Sequence, residues 1–262
     1  MALFRRRGRI GVMELFGMIG PTVQSSVYYQ LLDRLERSSR VGVVLLDIDS
    51  PGGAVAASDS LFAKVDRILR KKPVVAFMWG SGTSGAYMVA SAATRIVALP
   101  SAIVGSIGVI SLRPVVAELL ERVGVNISVS KSAPLKDMGA FYRQPTEEEE
   151  QRLQAIIDQL YEAFVQRVAR TRNLEAEQVR GLATGEVFTA VRGRELGLVD
   201  DLGDFDDALD LAAELGDVPR KTAYVRPPRT MRQRLAGRFA AWAMEGLAEE
   251  GYGASGQRLW YL

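Results

Sequence analysis

Val41-Gly42-Val43-Val44-Leu45-Leu46-Asp47-Ile48-Asp49, ending in Ser50-Pro51-Gly52-Gly53, is the stretch whose reading decides the fold. It is a near-continuous apolar run, the pattern of a strand buried on both faces of a parallel sheet. Upstream, residues 10–19 read as a first strand, and residues 23–35 as a helix with Val27, Leu31 and Leu35 on one face. Downstream, a helix with Leu61, Val65, Ile68 and Leu69 on one face leads to a strand over residues 73–79 and then to an alanine-rich helix. Short strands at 95–99 and 104–110, a helix around 115–123 and a strand at 125–129 continue the alternation. Strands and helices of this length, taken in turn, predict an α/β fold of βαβ units with right-handed crossovers.

Residues 131–145 read as an irregular loop. Thr146-Glu147-Glu148-Glu149 is a capping box that opens a long helix running to about Arg172. A short helix at 175–182, a turn-strand at 185–189 and a helix at 193–198 follow, closing on Gly197-Leu198-Val199-Asp200-Asp201-Leu202-Gly203. The Pro227-Pro228 pair marks a boundary. After it, residues 231–247 form an amphipathic helix with Leu235, Phe239, Trp242 and Leu247 at helical spacing. The expected division is a main domain over 1–225 and a helical extension with tail over 226–262.

Composition narrows the chemistry. The chain has 262 residues, of which 48% are hydrophobic and 24% charged, an ordinary globular balance. A net charge of +2 gives no electrostatic footprint for nucleic acid. There is no cysteine and no histidine, which excludes disulfides, thiolate nucleophiles and the common zinc sites. No Asp/Glu cluster has the spacing of a calcium loop. The basic start, Met1 to Arg9, is followed by an apolar stretch that Glu14 and glycines interrupt, so neither a signal peptide nor a spanning helix is expected there.

Ser84 lies in Gly82-Thr83-Ser84-Gly85-Ala86, between an apolar strand and a helix, where a nucleophile is displayed on a sharp turn. The competing reading is a helix N-cap. Gly82-x-Ser84-x-Ala86 lacks the last glycine of the hydrolase elbow, and there is no histidine to act as base. A catalytic Ser84 would therefore hand its proton to lysine, the best-attested substitute. Lys64, Lys71 and Lys72 read as belonging to a solvated helix or its end, which leaves Lys131 and Lys136 in the loop at 130–137. Ser50-Pro51-Gly52-Gly53 ends a buried strand, where open α/β sheets place their sites. The N–H groups of Gly53 and Gly85 are candidates for an oxyanion hole, against the plainer reading of a Pro-Gly turn.

Together, Asp49–Gly53, Thr83–Tyr87, Gly105-Ser106-Ile107-Gly108-Val109, the Lys131–Asp137 loop and the Gly197–Gly203 run resemble, in order and spacing, the signal peptide peptidase A family of Ser–Lys serine peptidases. The resemblance covers roughly residues 10–215. It implies the Clp/crotonase-like superhelix of ββα units, with Ser84 as nucleophile, Lys136 as general base, Ser106 orienting the lysine amine and Gly53 and Gly85 holding the oxyanion. Lys131 is the runner-up base. It also implies a homo-oligomer with sites near subunit interfaces, the lysine supplied by its own or a neighbouring subunit. Two departures stand out: Ser84-Gly85-Ala86 where Ser-Gly-Gly is usual, and no N-terminal anchor.

The expected activity is cleavage of peptides, either remnant signal peptides or other apolar, unfolded segments, with no cofactor, no metal and no nucleic acid. The expected location is cytoplasmic. Arg226, Arg229, Arg232, Arg234 and Arg238 beside the apolar face of the 231–247 helix suit either peripheral contact with an anionic membrane or packing against protein. Two rival readings are a catalytically inactive scaffold or adaptor and a crotonase-like acyl-CoA enzyme. The second would call for acidic catalytic residues and an adenine-binding loop, and neither is seen.

Overall fold

The computed structural model describes residues 8–227. Strands β1 (Arg9–Phe16), β2 (Val41–Ser50) and β3 (Val74–Thr83) lie side by side in parallel, joined through helices α1 (Ser25–Arg37) and α2 (Val55–Leu69). Helix α3 (Gly85–Ser91) follows, then β4 (Arg95–Ala98), β5 (Ile103–Gly105), helix α4 (Ala117–Arg122) and a 3-10 turn (Pro134–Asp137). The chain continues through α5 (Glu147–Arg172), α6 (Ala176–Leu182), β6 (Val187–Thr189), α7 (Ala190–Glu195), β7 (Asp201–Leu202), α8 (Phe205–Leu215) and β8 (Thr222–Val225). The sheet runs β6-β5-β3-β2-β1-β8, with β4 also on β3 and β7 on β4. Every pairing is parallel except β5 with β6.

Strand β2 is covered on both faces, as its apolar run requires. Val44, Leu46 and Ile48 join a core with Leu31 and Leu35 of α1 and Leu61, Val65 and Ile68 of α2. Val43 and Leu45 face the other way, into a second core with Ala208, Leu209 and Ala212 of α8. Burying each such side chain contributes roughly 1.5–3 kcal/mol. The capping box forms as read: Thr146 accepts from the Glu149 N–H, and the Glu149 carboxylate accepts from the Thr146 N–H.

Several expectations are corrected. Residues 125–129 form no strand, and the strand expected at 104–110 is confined to β5. Helix α7 starts earlier than residue 193, because Thr189 caps it. Helix α8 and strand β8 had no counterpart in the sequence reading. Lys64 is not solvated: it is buried, donating to Asp33 at 2.7 Å and Glu36 at 2.5 Å, so its charge is compensated inside the protein. One compact unit ends at Val225. The 231–247 helix and its arginines from Arg229 on lie outside the described residues.

Asp47 is the buried carboxyl of β2, and its Oδ1 has no hydrogen-bond partner among the described residues. Burial first, then the charges of Glu14 and Asp49, push its pKa up to about 7 from 3.8. Between those values the folded chain holds a proton that the unfolded chain has lost. This group therefore favours folding at low pH, and that contribution falls away as pH rises through the window. Asp47→Asn should raise stability near pH 8 by about 2 kcal/mol and change it little near pH 4. Urea unfolding at the two pH values measures the difference; an equal effect at both would show that Asp47 does not hold the proton.

Candidate active site

Strand β3 divides its partners. Residues Val75–Met78 pair with β4, while Ser81, Gly82 and Thr83 pair with β5. Ser84 follows where the sheet splays, its N–H donating to the Gly105 carbonyl at 2.8 Å. Its backbone has φ 53° and ψ −127°, a conformation that side chains with a Cβ rarely adopt. Ser84 occupies the N-cap position of α3, yet its side chain makes no capping bond. The N-cap reading is therefore inadequate, and the strained turn instead presents the half-buried hydroxyl outward.

Gly52 (φ 90°) and Gly53 (φ 150°) carry the facing loop. The Ile19 N–H donates to the Gly52 carbonyl at 2.7 Å, and the Ile19 carbonyl accepts from Ala54 at 2.9 Å. Because the amide is trans, fixing that carbonyl on Ile19 turns the Gly53 N–H the opposite way. The Gly85 N–H is the first of α3, one of the donors that a helix leaves unpaired. The two glycines adjoin: a Cβ on Gly85 would lie 3.6 Å from the Gly53 nitrogen and 2.2 Å from the Ser58 Oγ. A Cβ on Gly52 would lie 2.7 Å from the Gly85 nitrogen. Only glycine fits this approach, which brings two donors beside one hydroxyl.

The cleft at Ser84 is walled by Val55, Met88, Val109, Leu160 and Phe164. At its side Arg167 holds Asp59 through both guanidinium nitrogens, one bond measuring 3.0 Å. Ser58 also lines the cleft; its hydroxyl is buried and has no partner among the described residues. Ser58, Asp59 and Arg167 were not anticipated, because polar residues on a helix look like a solvated face until the neighbouring helix is known. Ser106 (φ 51°) follows directly on Gly105, the acceptor of the Ser84 N–H, and so sits beside the nucleophile turn.

The lysines lie elsewhere. Lys131 donates to the Pro134 carbonyl at 3.0 Å and to Asp137 at 2.7 Å. Asp137 also accepts from Arg143 Nε at 3.0 Å and Tyr142 at 3.2 Å. These partners, Arg143 first and then Lys131, hold its carboxyl well below the usual carboxylate range. Arg143 in turn donates to Glu149 at 2.8 Å and, with the Thr146 N–H, lowers that carboxyl to about 2. Lys136 stands exposed on the 3-10 turn, and no lysine lines the cleft at Ser84. Glu149, which anchors that turn, lies 11 and 15 residues before Leu160 and Phe164 of the cleft wall, roughly 17 to 22 Å along α5. The chain thus gathers Gly53, Ser84 and Gly85 at one cleft, with Ser106 beside the Ser84 turn, and neither Lys131 nor Lys136 is among the residues that line it.

The model of peptidase family S49 matches residues 67–219. A candidate protease of Methanocaldococcus jannaschii is 40% identical over 73% of this chain and 61% of its own length. A candidate protease of Synechocystis sp. is 37% identical over 88% of this chain and 84% of its own. Protease 4 of Salmonella typhi is 36% identical over 75% of this chain but only 31% of its own length. Among solved structures, a mutant of a membrane-bound stomatin-specific protease superposes with a TM-score of 0.55 at 15% identity, covering 85% of this chain and 99% of that one. That likeness bears on the fold, which is the α/β architecture of the Clp/crotonase type.

Strain at Ser84 has a measurable consequence. Ser84→Gly relieves the positive φ and should raise stability by about 1 kcal/mol over Ser84→Ala, after allowing for the greater freedom of glycine in the unfolded chain. Equal urea midpoints for the two variants would show that the turn stores no strain.

Proposed function

The chain belongs to peptidase family S49, and on that basis we propose that it is a serine endopeptidase whose nucleophile is Ser84 and whose base is Lys136 of a neighbouring copy. The observation that carries this reading is the strained Ser84 turn, set beside the Gly53 and Gly85 N–H groups in a chain without histidine. Neutral Lys136 takes the Ser84 proton, and Ser84 Oγ attacks the peptide carbonyl. The Gly53 and Gly85 N–H groups hold the oxyanion, each worth roughly 3–4 kcal/mol in the transition state. The lysine then returns its proton to the leaving amine, and water repeats the attack on the acyl-enzyme. Ser106, beside the turn, accepts a hydrogen bond from the incoming amine and orients it.

Two observations support supply from a neighbour: the length of α5 between the cleft wall and the Glu149 that holds the lysine's turn, and what flanks the lysine. Ile110 is 80% and Leu112 87% exposed, and Leu119, Val123 and Phe141 are exposed nearby in sequence. Apolar surface of that extent on the segment bearing Lys136 suits contact with a second copy. The apolar cleft walls favour peptides with an apolar residue before the scissile bond. Among the described residues no helix is long and apolar enough to cross a membrane, and no three acidic side chains cluster as a metal site would need.

Ser84→Ala and Lys136→Ala should each lose peptidase activity by a factor of about 1,000 or more. Unfolded and refolded together in equal amounts, the two inactive variants should regain about a quarter of wild-type turnover per chain, because that fraction of sites pairs an intact serine with an intact lysine. Fluorophosphonate labelling of Ser84 should return in the same mixture. Lysine within the same chain would give no recovery. Retained activity in Lys136→Ala would remove it as the base.

A further inference from the structure

The residue after Lys136 is an aspartate, and an unbalanced carboxylate beside a lysine base would hold the proton on it. The chain does not leave Asp137 unbalanced. Lys131 and Arg143 both donate to it, with contacts of 2.7 and 2.9 Å, and its side chain is 12% exposed. Arg143 carries the connection onward to Glu149, whose side chain is 3% exposed and whose carboxylate also closes the capping box of α5. Two cations and two carboxylates therefore sum to zero around the turn. Arg143 bonds the turn to a 26-residue helix and is itself held at both ends.

We propose that Asp137, Arg143 and Glu149 are positioning residues for Lys136, a charge-balanced clamp that fixes the base-bearing turn to the N-terminus of α5. The proposal rests on the reading of Lys136 as the base. The clamp supplies two things. A lysine side chain has four rotatable bonds, so a turn held at its root restricts where the amine can reach in the neighbour. The ion pairs also keep the Asp137 charge from acting on the amine. The charged and titratable groups at the turn that carries Lys136 are Lys131, Asp137, Tyr142, Arg143 and Glu149, with Glu121 of α4 lining the same cavity and Arg113 beside Gly139, all in its own chain. Across the interface they are the mutually paired Asp59 and Arg167 of the cleft that receives it.

The opposed charges give a test that a purely structural role would not pass. Turnover of a fluorogenic apolar peptide amide is measured against pH for the full chain, alongside Lys136→Ala. Arg143→Met leaves Asp137 with one cation, favours protonated lysine and should move the rising midpoint of activity to higher pH by roughly half a unit. Asp137→Asn leaves the cations in excess and should move it to lower pH by a similar amount. Both should lower the plateau kcat about 10-fold with KM unchanged. Arg143→Lys, keeping the charge without the fork, should restore the midpoint but not the full plateau. Midpoints that stay at the wild-type value, or move in the same direction in both variants, overturn the proposal. Should Arg143→Met not fold, Glu149→Gln, which frees the guanidinium toward Asp137, should shift the midpoint to lower pH; an unshifted midpoint again overturns it. Activity surviving in Lys136→Ala would instead overturn the assignment of the base.

Discussion

Burial of β2 on both faces is the constraint from which the rest of the molecule follows. Val43, Val44, Leu45 and Leu46 are fully enclosed, so helices must cover the sheet above and below, and the strands can only be joined by crossovers. Parallel strands bring their carboxyl ends to one edge, and there both Ser50-Pro51-Gly52-Gly53 and Thr83-Ser84-Gly85 emerge. The site is assembled at that edge because the core leaves no other place for those turns. The constraint also carries a cost, since the same strand buries Asp47 with one oxygen that has no partner among the described residues.

At the edge, steric limits take over from burial. Ile19 grips the Gly52-Gly53 peptide from one side, and Ser58 crowds Gly85 from the other. Between them no Cβ can be added at Gly52, Gly53 or Gly85 without a contact of 2.1 to 2.7 Å. Ser84 itself has a Cβ and is nonetheless held at positive φ, by the β5 pairing before it and the helix after it. The surrounding structure thus maintains a conformation that the isolated turn would avoid, which is how strain comes to sit at one residue of the candidate site.

What was legible in the sequence depended on whether a signal was local. The apolar run of β2, the capping box at Thr146 and the glycine turns are local, and each appears where it was read, to within a few residues. Lys64 misled because helical spacing does not reveal that α1 brings Asp33 and Glu36 against it. Residues 125–129 have the apolar alternation of a strand but no sheet edge to join. Val125, Ile127 and Val129 remain exposed, so periodicity recorded a surface without its partner. Strand β8 was passed over because its four residues, Thr222–Val225, gain their meaning only from pairing with β1, more than 200 positions earlier. Of the candidate site, the turns that carry Ser84, Gly53, Gly85 and Ser106 were readable because turn geometry restricts residue identity there. Ser58, Asp59 and Arg167 were not, since their roles arise from α5 packing on α2 and α3.

Helix α5 is the element that links the Ser84 cleft to the turn carrying Lys136. Its Phe164 end is fixed in the core and walls the Ser84 cleft, with Arg167 bound to Asp59 of α2. Its other end is fixed through Glu149 and Arg143 to the turn that carries Lys136. A helix is stiff over this length, so the separation between its two ends cannot be closed by a side chain that reaches about 6 Å. Fold and chemistry can be reconciled if the far end of α5 addresses a cleft other than its own. The exposed apolar residues between Ile110 and Phe141 then cease to be a solubility burden and become the surface that brings two copies together. In that arrangement a helix which separates the groups within one chain sets the reach between chains, and a solitary copy would be a peptidase with its proton acceptor pointed away from its serine.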